Sequence, residues 1–366
     1  MKQKNIAMAW WGTGGHVFPI RSLLSTLAKN KEYSSQVKQI SRFWTKNSLE
    51  QQVASEFKEV QFQTILSGKF RREKSFSALV KNVRDFFLFF IGLIQSLWLL
   101  RRKKIDVIFC KGGYVALPVV VAGKILRKKI IVHESDTHPG LVNRIASKWA
   151  TKTFTGFENI FPKETVVGQI LSEDLFASKD GESDFSASFL KKVEKLDPSK
   201  TILFVSGGSQ GAKSLYESLW KVFDEKLAEK IQMVVSLGKL NADLQGDFEK
   251  KGAIVFDFLS QKEMGYLYSL SDLAVSRGGT TSLAEQKIFH LKTIIVPIPR
   301  THDQMDNALY YEKHFHDIVL DQDDQYFEKD LEETLRELKE YKKKNLTIQS
   351  EEVKQTKNQI LTAILQ

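Results

Sequence analysis

The chain has 366 residues, 42% of them hydrophobic and 27% charged, which is the composition of a globular protein long enough for two domains. Its formal net charge of +10 is consistent with an anionic partner, but the sequence contains no zinc-finger spacing, basic heptad helix or aromatic ribonucleoprotein motif, so nucleic acid is disfavoured. The single cysteine, Cys110, excludes an intramolecular disulfide and favours a reducing, cytoplasmic compartment.

Short apolar strand patterns alternate with longer helical patterns along both halves of the chain. The predicted strands span residues 5–10, 105–110 and 130–133 in the first half, and residues 201–206, 232–237, 253–258, 273–276 and 293–297 in the second. This alternation predicts parallel sheets with right-handed crossovers. We therefore predict an α/β protein with two Rossmann-like domains facing each other across a cleft.

A polar stretch with few regularly spaced apolar residues separates the two halves. We predict an N-terminal domain over residues 1–168 and a C-terminal domain over residues 169–345, with a linker at about residues 169–200. Residues 346–366 are predicted to form a C-terminal helix that packs back on the N-terminal domain.

Three glycine-rich turns follow predicted strands. They are residues 12–16 (GTGGH), which lead to a helix near Pro19, residues 207–212 (GGSQGA), and residues 277–282 (RGGTTS), with Glu285 one turn later. Glycine lets backbone N–H groups approach an anion, and the helix N-terminus that follows attracts negative charge. A single turn of this kind is often only a tight connection, but three at strand ends favour binding of a diphosphate.

Polar residues follow other predicted strands. Residues 112–114 (GGY) and 133–136 (HESD) are predicted to lie at one carboxyl edge of the first sheet. Residues 302–307 (HDQMDN) lack the spacing of a helix-borne metal site and are predicted to contact sugar hydroxyls. Residues 321–324 (DQDD) offer carboxylates for Mg²⁺, but a loop with a helix cap is favoured, so no metal site is predicted.

A long apolar run at residues 86–100 precedes four basic residues. It is shorter than the about 20 apolar residues that a membrane-spanning helix needs. We predict a helix with one face in the core and one apolar face left over. The apolar stripe over residues 76–90 is interleaved with Lys and Arg, which suits docking on anionic lipid, and a stripe that is simply core is the alternative.

The turns and polar segments, taken in order, resemble the MurG family. The matching segments are residues 12–19 (GTGGHVFP), 112–114, 133–136, 207–212, 277–285 (RGGTTSLAE) and 303–308 (DQMDNA). The resemblance implies an N-acetylglucosaminyltransferase of the GT-B fold, which transfers the sugar from UDP-GlcNAc to lipid I and forms lipid II. It also implies acceptor binding on the N-terminal domain, donor binding mainly on the C-terminal domain, a peripheral location on the cytoplasmic face of the membrane, and no cofactor.

The resemblance also implies roles for residues at the matching positions. Ser209 and Gln210 match the diphosphate region of the donor site, Leu259 the uracil contact, and Gln304 the sugar contact. Phosphates and ribose are assigned to Thr280, Thr281, Ser282, Leu283, Ala284 and Glu285. The N-terminal domain contributes Thr13, Gly14, Gly15 and Asp136 to the donor site. Acceptor binding is assigned to His16, Gly112, Gly113, Tyr114 and Asn143.

The family's chemistry is an inverting single displacement, which needs a base for the acceptor's C4 hydroxyl. We predict that His16 is this base because an imidazole titrates near neutral pH. Glu134 is the alternative, provided that burial raises its pKa. Helix N-termini can stabilise the leaving diphosphate without a metal.

Three positions depart from the family pattern. Trp11 replaces a glycine, Asp136 replaces the usual Asn, and Ser172 stands where the family has an Arg. The alternatives are a related transferase that glycosylates a diacylglycerol or other lipid, and a non-catalytic nucleotide-sugar-binding protein. A dinucleotide-dependent oxidoreductase is disfavoured because the first loop lacks G-x-G-x-x-G spacing.

Overall fold

The computed structural model describes residues 3–10, 14–44, 57, 60–69, 71, 75–176, 185–208, 211–238, 240–344, 347–348 and 350–366, without the side chains of residues 14–16, 44 and 302. The chain forms two compact units. The first comprises Met1–Ile170 together with Lys354–Gln366, and the second comprises Leu171–Val353.

The first unit is built on a parallel sheet, which in the described residues has seven strands in the order β3-β2-β1-β4-β5-β6-β7. The strands are β1 (Lys4–Trp10), β2 (Val37–Trp44), β3 (Val60–Thr64), β4 (Val107–Gly112), β5 (Lys129–Glu134), β6 (Lys152–Thr155) and β7 (Thr165–Val166). The helices before Leu171 are α1 (Gly14–Lys29), α2 (Lys31–Ser35), α3 (Phe76–Arg102), α4 (Ala116–Ile125) and α5 (Leu141–Ser147).

The second unit repeats this architecture, with six described strands in the parallel order β10-β9-β8-β11-β12-β13. The strands are β8 (Thr201–Ser206), β9 (Ile231–Ser236), β10 (Ile254–Phe256), β11 (Leu273–Ser276), β12 (Lys292–Ile295) and β13 (Ile318–Val319). The helices are α6 (Ala187–Val193), α7 (Lys213–Val222), α8 (Glu225–Lys230), α9 (Gln245–Lys250), α10 (Gln261–Leu270), α11 (Thr280–Ile288), α12 (His302–Phe315) and α13 (Phe327–Leu338), and the chain ends with α14 (Ser350–Leu365). The α/β prediction is confirmed.

Each sheet carries an apolar core on both faces. In the first unit, Ile6 and Met8 of β1 face a core that includes Ile360 and Leu361 of α14, while Ala7 and its neighbours face the other side. Alternating side chains of a strand point to opposite faces, so a strand buried on both faces is a continuous apolar run. The central strands of each sheet were predicted for this reason. The outer strands β2 and β3 were missed because polar residues interrupt their pattern.

The described residues of the predicted linker at residues 169–200 include regular helical structure. A 3-10 helix at Glu173–Phe176 and helix α6 lie within them, and Ser186 caps α6 by accepting a hydrogen bond from the backbone N–H of Phe189 at 3.2 Å. The side chains of Phe185 and Phe189 are buried in the core of the second unit. Burial of these aromatic rings joins the segment to that unit.

Helix α3 is longer than the apolar run at residues 86–100 suggested. It has 27 residues and is capped at its start by Ser75, whose hydroxyl accepts a hydrogen bond from the backbone N–H of Ala78. Among the described residues, it is the one helix that is long and apolar enough to cross a membrane. Only 28% of its most apolar stretch is buried. The apolar stripe is not core. Its exposed side chains are Phe76, Leu79, Val80, Val83, Phe86, Phe87 and Phe90, continued by Ile91, Ile94 and Trp98.

Candidate active-site residues

The first glycine-rich segment lies at the carboxyl end of β1. Helix α1 begins at Gly14, so Gly14, Gly15 and His16 belong to its first turn. The sequence had instead predicted a loop over residues 12–16 before the helix. Trp11 and Thr13, and the side chain of His16, lie outside the described residues. The backbone of residues 14–16 thus lies at the positive end of a helix, where an anion is favoured.

Glycine is required at the end of β4. Gly112 has a φ of +100°, and a Cβ atom there would lie 3.1 Å from Nδ2 of Asn143. A side chain at this position would therefore be strained and crowded. Of the predicted acceptor residues, Gly112 and Asn143 are thus in contact, while the carbonyl oxygen of Tyr114 accepts a hydrogen bond from the Ser67 hydroxyl at 2.9 Å.

Glu134 anchors the loop that follows β5. Its Oε1 accepts hydrogen bonds from the backbone N–H groups of Ser135 and Asp136 at 2.8 and 3.0 Å. Its Oε2 accepts from the N–H of Gly140 at 3.0 Å and from Nδ2 of Asn143 at 2.9 Å. The carboxylate is 3% exposed, and four donors satisfy it. This geometry suits a residue that anchors the loop better than it suits a general base, which was the predicted alternative role of Glu134.

Two further buried groups lie beside Glu134. Nε2 of His133 is 3.1 Å from the carbonyl oxygen of Gly168, and burial lowers the pKa of this imidazole well below its usual value, so the ring is neutral. Lys111, the penultimate residue of β4, is 1% exposed and donates a hydrogen bond to the hydroxyl of Ser135. Sequence reasoning missed Lys111; its signal is a lysine inside an apolar strand, directly before two glycines.

The second glycine-rich segment connects β8 to α7. The backbone N–H of Gly207 donates to the hydroxyl of Tyr216 at 2.8 Å, and that hydroxyl donates to the carbonyl oxygen of Ser236 at 2.8 Å. The two bonds attach the start of the loop to a neighbouring strand. Ser209 and Gln210 lie outside the described residues.

The third glycine-rich segment connects β11 to α11. Helix α11 begins at Thr280, and its N-cap residue, Gly279, provides no side chain for capping. The first N–H groups of a helix have no partner within the helix. They are accordingly available to an anion such as a diphosphate. The matched residues 280–285 all lie in the first turns of this helix, where Thr280, Leu283 and Glu285 are buried and Thr281, Ser282 and Ala284 are half-buried.

Two polar side chains near this turn have predicted contacts with the donor: Glu285 and Gln304. Glu285 is 4% exposed, its described partner is the Tyr268 hydroxyl at 3.4 Å, and burial raises its pKa to about 8. Oε1 of Gln304 accepts from the N–H groups of Gly278 and Ile298 at 3.2 and 3.0 Å. The amide NH₂ of Gln304 is then the part that can donate to a ligand.

Leu259, the predicted uracil contact, has a buried side chain. It is 6% exposed and packs in the core of the second unit. The preceding Phe258, which sequence reasoning did not select, is 57% exposed. A nucleobase at this position would meet the backbone of Leu259 or the ring of Phe258.

Arg277 joins three segments at the carboxyl edge of the second sheet. Its guanidinium donates to the carbonyl oxygens of Val296 and Pro297 at 3.1 and 3.2 Å, to Oε1 of Gln322 at 2.8 Å and to the hydroxyl of Ser214 at 3.2 Å. Burial lowers its pKa to about 10, so it remains a cation at neutral pH. Sequence reasoning assigned no role to Arg277.

The acidic segment at residues 321–324 is a loop. A carboxylate oxygen of Asp321 accepts from the backbone N–H of Asp323 at 3.0 Å, and one of Asp324 accepts from that of Tyr326 at 2.8 Å. In the described part of the chain, no group of three His, Cys, Asp or Glu side chains is arranged to hold a metal ion.

Comparison with known proteins identifies the family. The glycosyltransferase family 28 N-terminal domain matches residues 6–155, and the family 28 C-terminal domain matches residues 202–363. The UDP-N-acetylglucosamine–N-acetylmuramyl-(pentapeptide) pyrophosphoryl-undecaprenol N-acetylglucosamine transferase of Staphylococcus aureus (strain MRSA252) is 33% identical over 315 residues, which cover 84% of this chain and 83% of that protein.

Solved structures share the fold. MurG of Acinetobacter baumannii has a TM-score of 0.73 at 21% identity, with 99% of each chain covered. The glycotransferase of kitacinnamycin has a TM-score of 0.66 at 13% identity, with 99% of this chain and 96% of that chain covered. The chain is therefore a glycosyltransferase with the GT-B fold and belongs to the MurG family of N-acetylglucosaminyltransferases.

Proposed function

We propose that the protein transfers N-acetylglucosamine from UDP-GlcNAc to the C4 hydroxyl of the MurNAc residue of lipid I, undecaprenyl-pyrophosphoryl-MurNAc-pentapeptide, and so forms lipid II for peptidoglycan synthesis. Support comes from the Staphylococcus aureus relative, whose name states this donor and this acceptor. The structural observation that carries the proposal is Glu285, a buried carboxylate with one weak partner beside the uncapped start of α11.

The second unit provides most of the donor site in this proposal. The N–H groups at the start of α11 receive the diphosphate, together with Thr280, Thr281 and Ser282, and the Glu285 carboxylate accepts hydrogen bonds from ribose hydroxyls. The amide NH₂ of Gln304 donates to the sugar. Leu283 and Ala284 support this turn, and Ser209 and Gln210 approach the diphosphate. In the first unit, the family resemblance predicts donor contacts at Thr13, Gly14, Gly15 and Asp136.

The acceptor is assigned to the first unit. His16, Gly112, Gly113 and Tyr114 contact lipid I in this proposal. Asn143 has a different role, because its amide already donates to Glu134 at 2.9 Å and to the carbonyl oxygen of His133 at 3.3 Å. We assign Asn143 the task of shaping the acceptor loop and Glu134 that of positioning it.

The reaction is a single displacement with inversion. The acceptor's C4 oxygen forms a bond to the anomeric carbon, the bond from that carbon to the diphosphate oxygen breaks, and the hydroxyl proton passes to the imidazole of His16. Negative charge then grows on UDP, and the helix N–H groups stabilise it. No cofactor takes part in this scheme; UDP-GlcNAc is a substrate.

Docking on the cytoplasmic face of the membrane is assigned to α3. Its apolar residues at positions 76–90 are exposed, and the side chains of Lys81, Arg84, Arg101 and Arg102 on the same helix are basic. Exposed aromatic rings bordered by cations suit the interface of an anionic bilayer. The protein is thereby held as a peripheral protein beside its lipid acceptor.

A transfer assay with radiolabelled donors tests the function. We expect label from UDP-GlcNAc on a lipid I analogue, and none from UDP-glucose or UDP-galactose. Label on diacylglycerol in place of the lipid I analogue would support the alternative transferase. Stabilisation of the fold by UDP-GlcNAc without any transfer would support the non-catalytic alternative.

A further inference from the structure

Segment 65–69, which follows strand β3, lies along helix α3 and is bonded to it near both ends. The backbone N–H of Leu66 donates a hydrogen bond to Oε1 of Gln95 at 2.8 Å. The backbone N–H of Lys69 donates to Oδ2 of Asp85 at 3.1 Å. The earlier residue of the segment thus meets the later residue of the helix, so the two run in opposite directions. Two side chains of one helix fix the segment on its surface.

Two glycines let the segment approach the helix closely. A Cβ atom on Gly92 of α3 would lie 1.9 Å from the carbonyl oxygen of Leu66, and one on Gly68 would lie 1.9 Å from that of Asp85. Either added side chain would force the segment away, because both contacts are with backbone atoms. Glycine is unfavourable inside a helix, and the close approach of the segment gives a reason for its presence at position 92.

Asp85 is a buried carboxylate whose partners lie on and next to the segment. It is 5% exposed and accepts from Arg71 at 2.6 Å and from Arg84 at 2.7 and 2.9 Å, in addition to the N–H of Lys69. Burial raises the pKa of Asp85, but the hydrogen bonds from Arg71 and Arg84 lower it below its usual value, so the group is an anion at neutral pH. Charge-assisted bonds to both oxygens compensate for burial of this charge.

Helix α3 holds the segment on one face and leaves another face open. Positions 85, 92 and 95 are separated by seven and three residues, which places them on one side of a helix. Asp85 and Gly92 are buried there, whereas Phe86, Phe87 and Phe90 are exposed. The segment therefore leaves uncovered the apolar face that is assigned to membrane docking.

The middle of the segment contacts the loop after β4. The hydroxyl of Ser67 donates to the carbonyl oxygen of Tyr114 at 2.9 Å, and that oxygen also accepts from the backbone N–H of Leu117 in α4 at 3.3 Å. The preceding Gly112 and Gly113 have φ values of +100° and +82° and no side chains to pack. Ser67 is accordingly a fixed point for the end of a loop that begins with two glycines.

We propose that Ser67 is a positioning residue for the lipid acceptor: held on α3 by segment 65–69, it fixes the carbonyl group of Tyr114 and with it the loop at residues 112–114. The inference rests on the proposed function, which assigns this loop to lipid I and α3 to the membrane surface. Contacts within the first unit then keep the docking helix and the acceptor loop in one geometry, so a lipid acceptor in the bilayer meets the loop at a fixed height.

The first test is Ser67→Ala, with Ser147→Ala as control because the hydroxyl of Ser147 donates to the carbonyl oxygen of Arg144 in its own helix. KM for lipid I in anionic vesicles and KM for UDP-GlcNAc are measured, together with thermal unfolding. We expect Ser67→Ala to raise KM for lipid I about three- to tenfold, through loss of one hydrogen bond. KM for UDP-GlcNAc should stay within about twofold of the wild type, since the donor is bound elsewhere.

The second test moves the whole segment. Gly92→Ala places a methyl group against the carbonyl of Leu66, whereas the control Gly246→Ala adds one to helix α9 where no atom lies within 4 Å. We expect Gly92→Ala to raise KM for lipid I at least as much as Ser67→Ala, with vesicle binding unchanged because the exposed face of α3 is intact. The double variant Ser67→Ala, Gly92→Ala should match Gly92→Ala within about twofold, since the displaced segment has already lost the Ser67 bond.

Several results would overturn the proposal. It fails if Ser67→Ala leaves KM for lipid I unchanged, if both KM values rise equally, or if the effects of the two substitutions multiply in the double variant. If Gly92→Ala does not fold, Ser67→Ala alone decides. Absence of transfer by the wild-type protein is a failure of the proposed function. Amide hydrogen exchange then tests the positioning: the N–H of Leu117 should exchange about threefold faster or more in Ser67→Ala, and an unchanged rate contradicts the proposal.

Discussion

Glu134 of the first unit and Glu285 of the second are both buried glutamates, but their hydrogen bonding differs. Both are almost completely buried, and burial raises the pKa of both. Glu134 ends strand β5, whereas Glu285 lies within helix α11. Glu134 accepts four hydrogen bonds from its own unit, whereas the described partner of Glu285 is one hydroxyl at 3.4 Å. In the proposed scheme, Glu134 positions its loop and Glu285 accepts hydrogen bonds from the ribose hydroxyls.

The difference follows from the cost of unsatisfied buried groups. A buried acceptor without good donors is unfavourable by about 1–3 kcal/mol, and a ligand that supplies donors removes this penalty. Glu134 has no such penalty to relieve. Glu285 has this penalty, and in the proposed complex the ribose hydroxyls relieve it by donating hydrogen bonds.

The largest effect is expected at the first unit's proposed base. His16→Ala should lower kcat by about 10²–10⁴-fold, because proton transfer from the acceptor hydroxyl loses its catalyst. KM for UDP-GlcNAc should change little. Steady-state kinetics with a lipid I analogue measure both constants, with the exposed His314→Ala as control. A kcat within about threefold of the wild type would exclude His16 as the base and return Glu134 to consideration.

A change at Glu285 tests the ligand side of the comparison. Above a pH of about 8, where the carboxyl is ionised, Glu285→Gln should raise KM for UDP-GlcNAc by about 10- to 100-fold, because hydrogen bonds to a charged acceptor contribute about 1.5–3 kcal/mol. Wild-type KM should fall as the pH rises to about 8, since the ionised carboxylate accepts the hydroxyls. Kinetics against pH test both points, with exposed Glu312→Gln as control. Equal KM values at all pH would contradict the ribose role.

The free energy of unfolding should report the same ionisation of Glu285. Donor binding is expected to strengthen as the pH rises, whereas the free energy of unfolding is expected to fall. The folded protein keeps the Glu285 proton up to a pKa of about 8, whereas an ordinary carboxyl releases it at 4.5. The contribution of Glu285 to the free energy of unfolding is therefore complete below the lower pKa and is lost as the pH rises through the higher one. Denaturant unfolding at both ends of this window should show a smaller decline for Glu285→Gln than for the wild type. Parallel declines would mean that Glu285 is ionised throughout.

Glu134→Gln tests the anchor side of the comparison. One amide oxygen cannot replace two carboxylate oxygens with four donors, so the free energy of unfolding should fall by about 1–3 kcal/mol. The folded variant should keep kcat within about tenfold, since in this scheme the residue transfers no proton. Urea unfolding and single-turnover kinetics separate the two quantities. Full stability combined with a loss of about 100-fold or more in kcat would instead make Glu134 the base.

The smallest effect on stability is expected for a substitution on α3, away from the carboxyl edges of both sheets. Phe87, on the exposed face of α3, is 62% exposed, so Phe87→Ser should change the free energy of unfolding by no more than about 0.5 kcal/mol. Binding to anionic vesicles at low salt should weaken by about tenfold if the ring enters the bilayer interface. Vesicle cosedimentation measures this, with Leu240→Ser, another exposed apolar residue, as control. Equal binding of both variants would exclude docking through Phe87.

The sequence by itself determined the fold class and the family. These depend on local information: apolar runs of strand length, helical spacing between them, and short motifs in a set order. Strand boundaries were correct to within about two residues for the central strands. Strands β2 and β3 were not predicted because polar residues interrupt their apolar pattern, and α6 was not predicted because it is only seven residues long and lies in a polar stretch.

The tertiary structure decided which partners each buried polar residue has. Lys111 meets Ser135 across 24 residues, and Arg277 meets Gln322 across 45 and Ser214 across 63, so no local pattern could pair them. Periodicity also could not tell an exposed apolar face of α3 from a core face, because both repeat at 3.6 residues per turn. Glu134 and Glu285 also show this. Folding brings four donors to the carboxylate of Glu134 and only the Tyr268 hydroxyl, at 3.4 Å, to the described side chain of Glu285, because these partners depend on the three-dimensional fold.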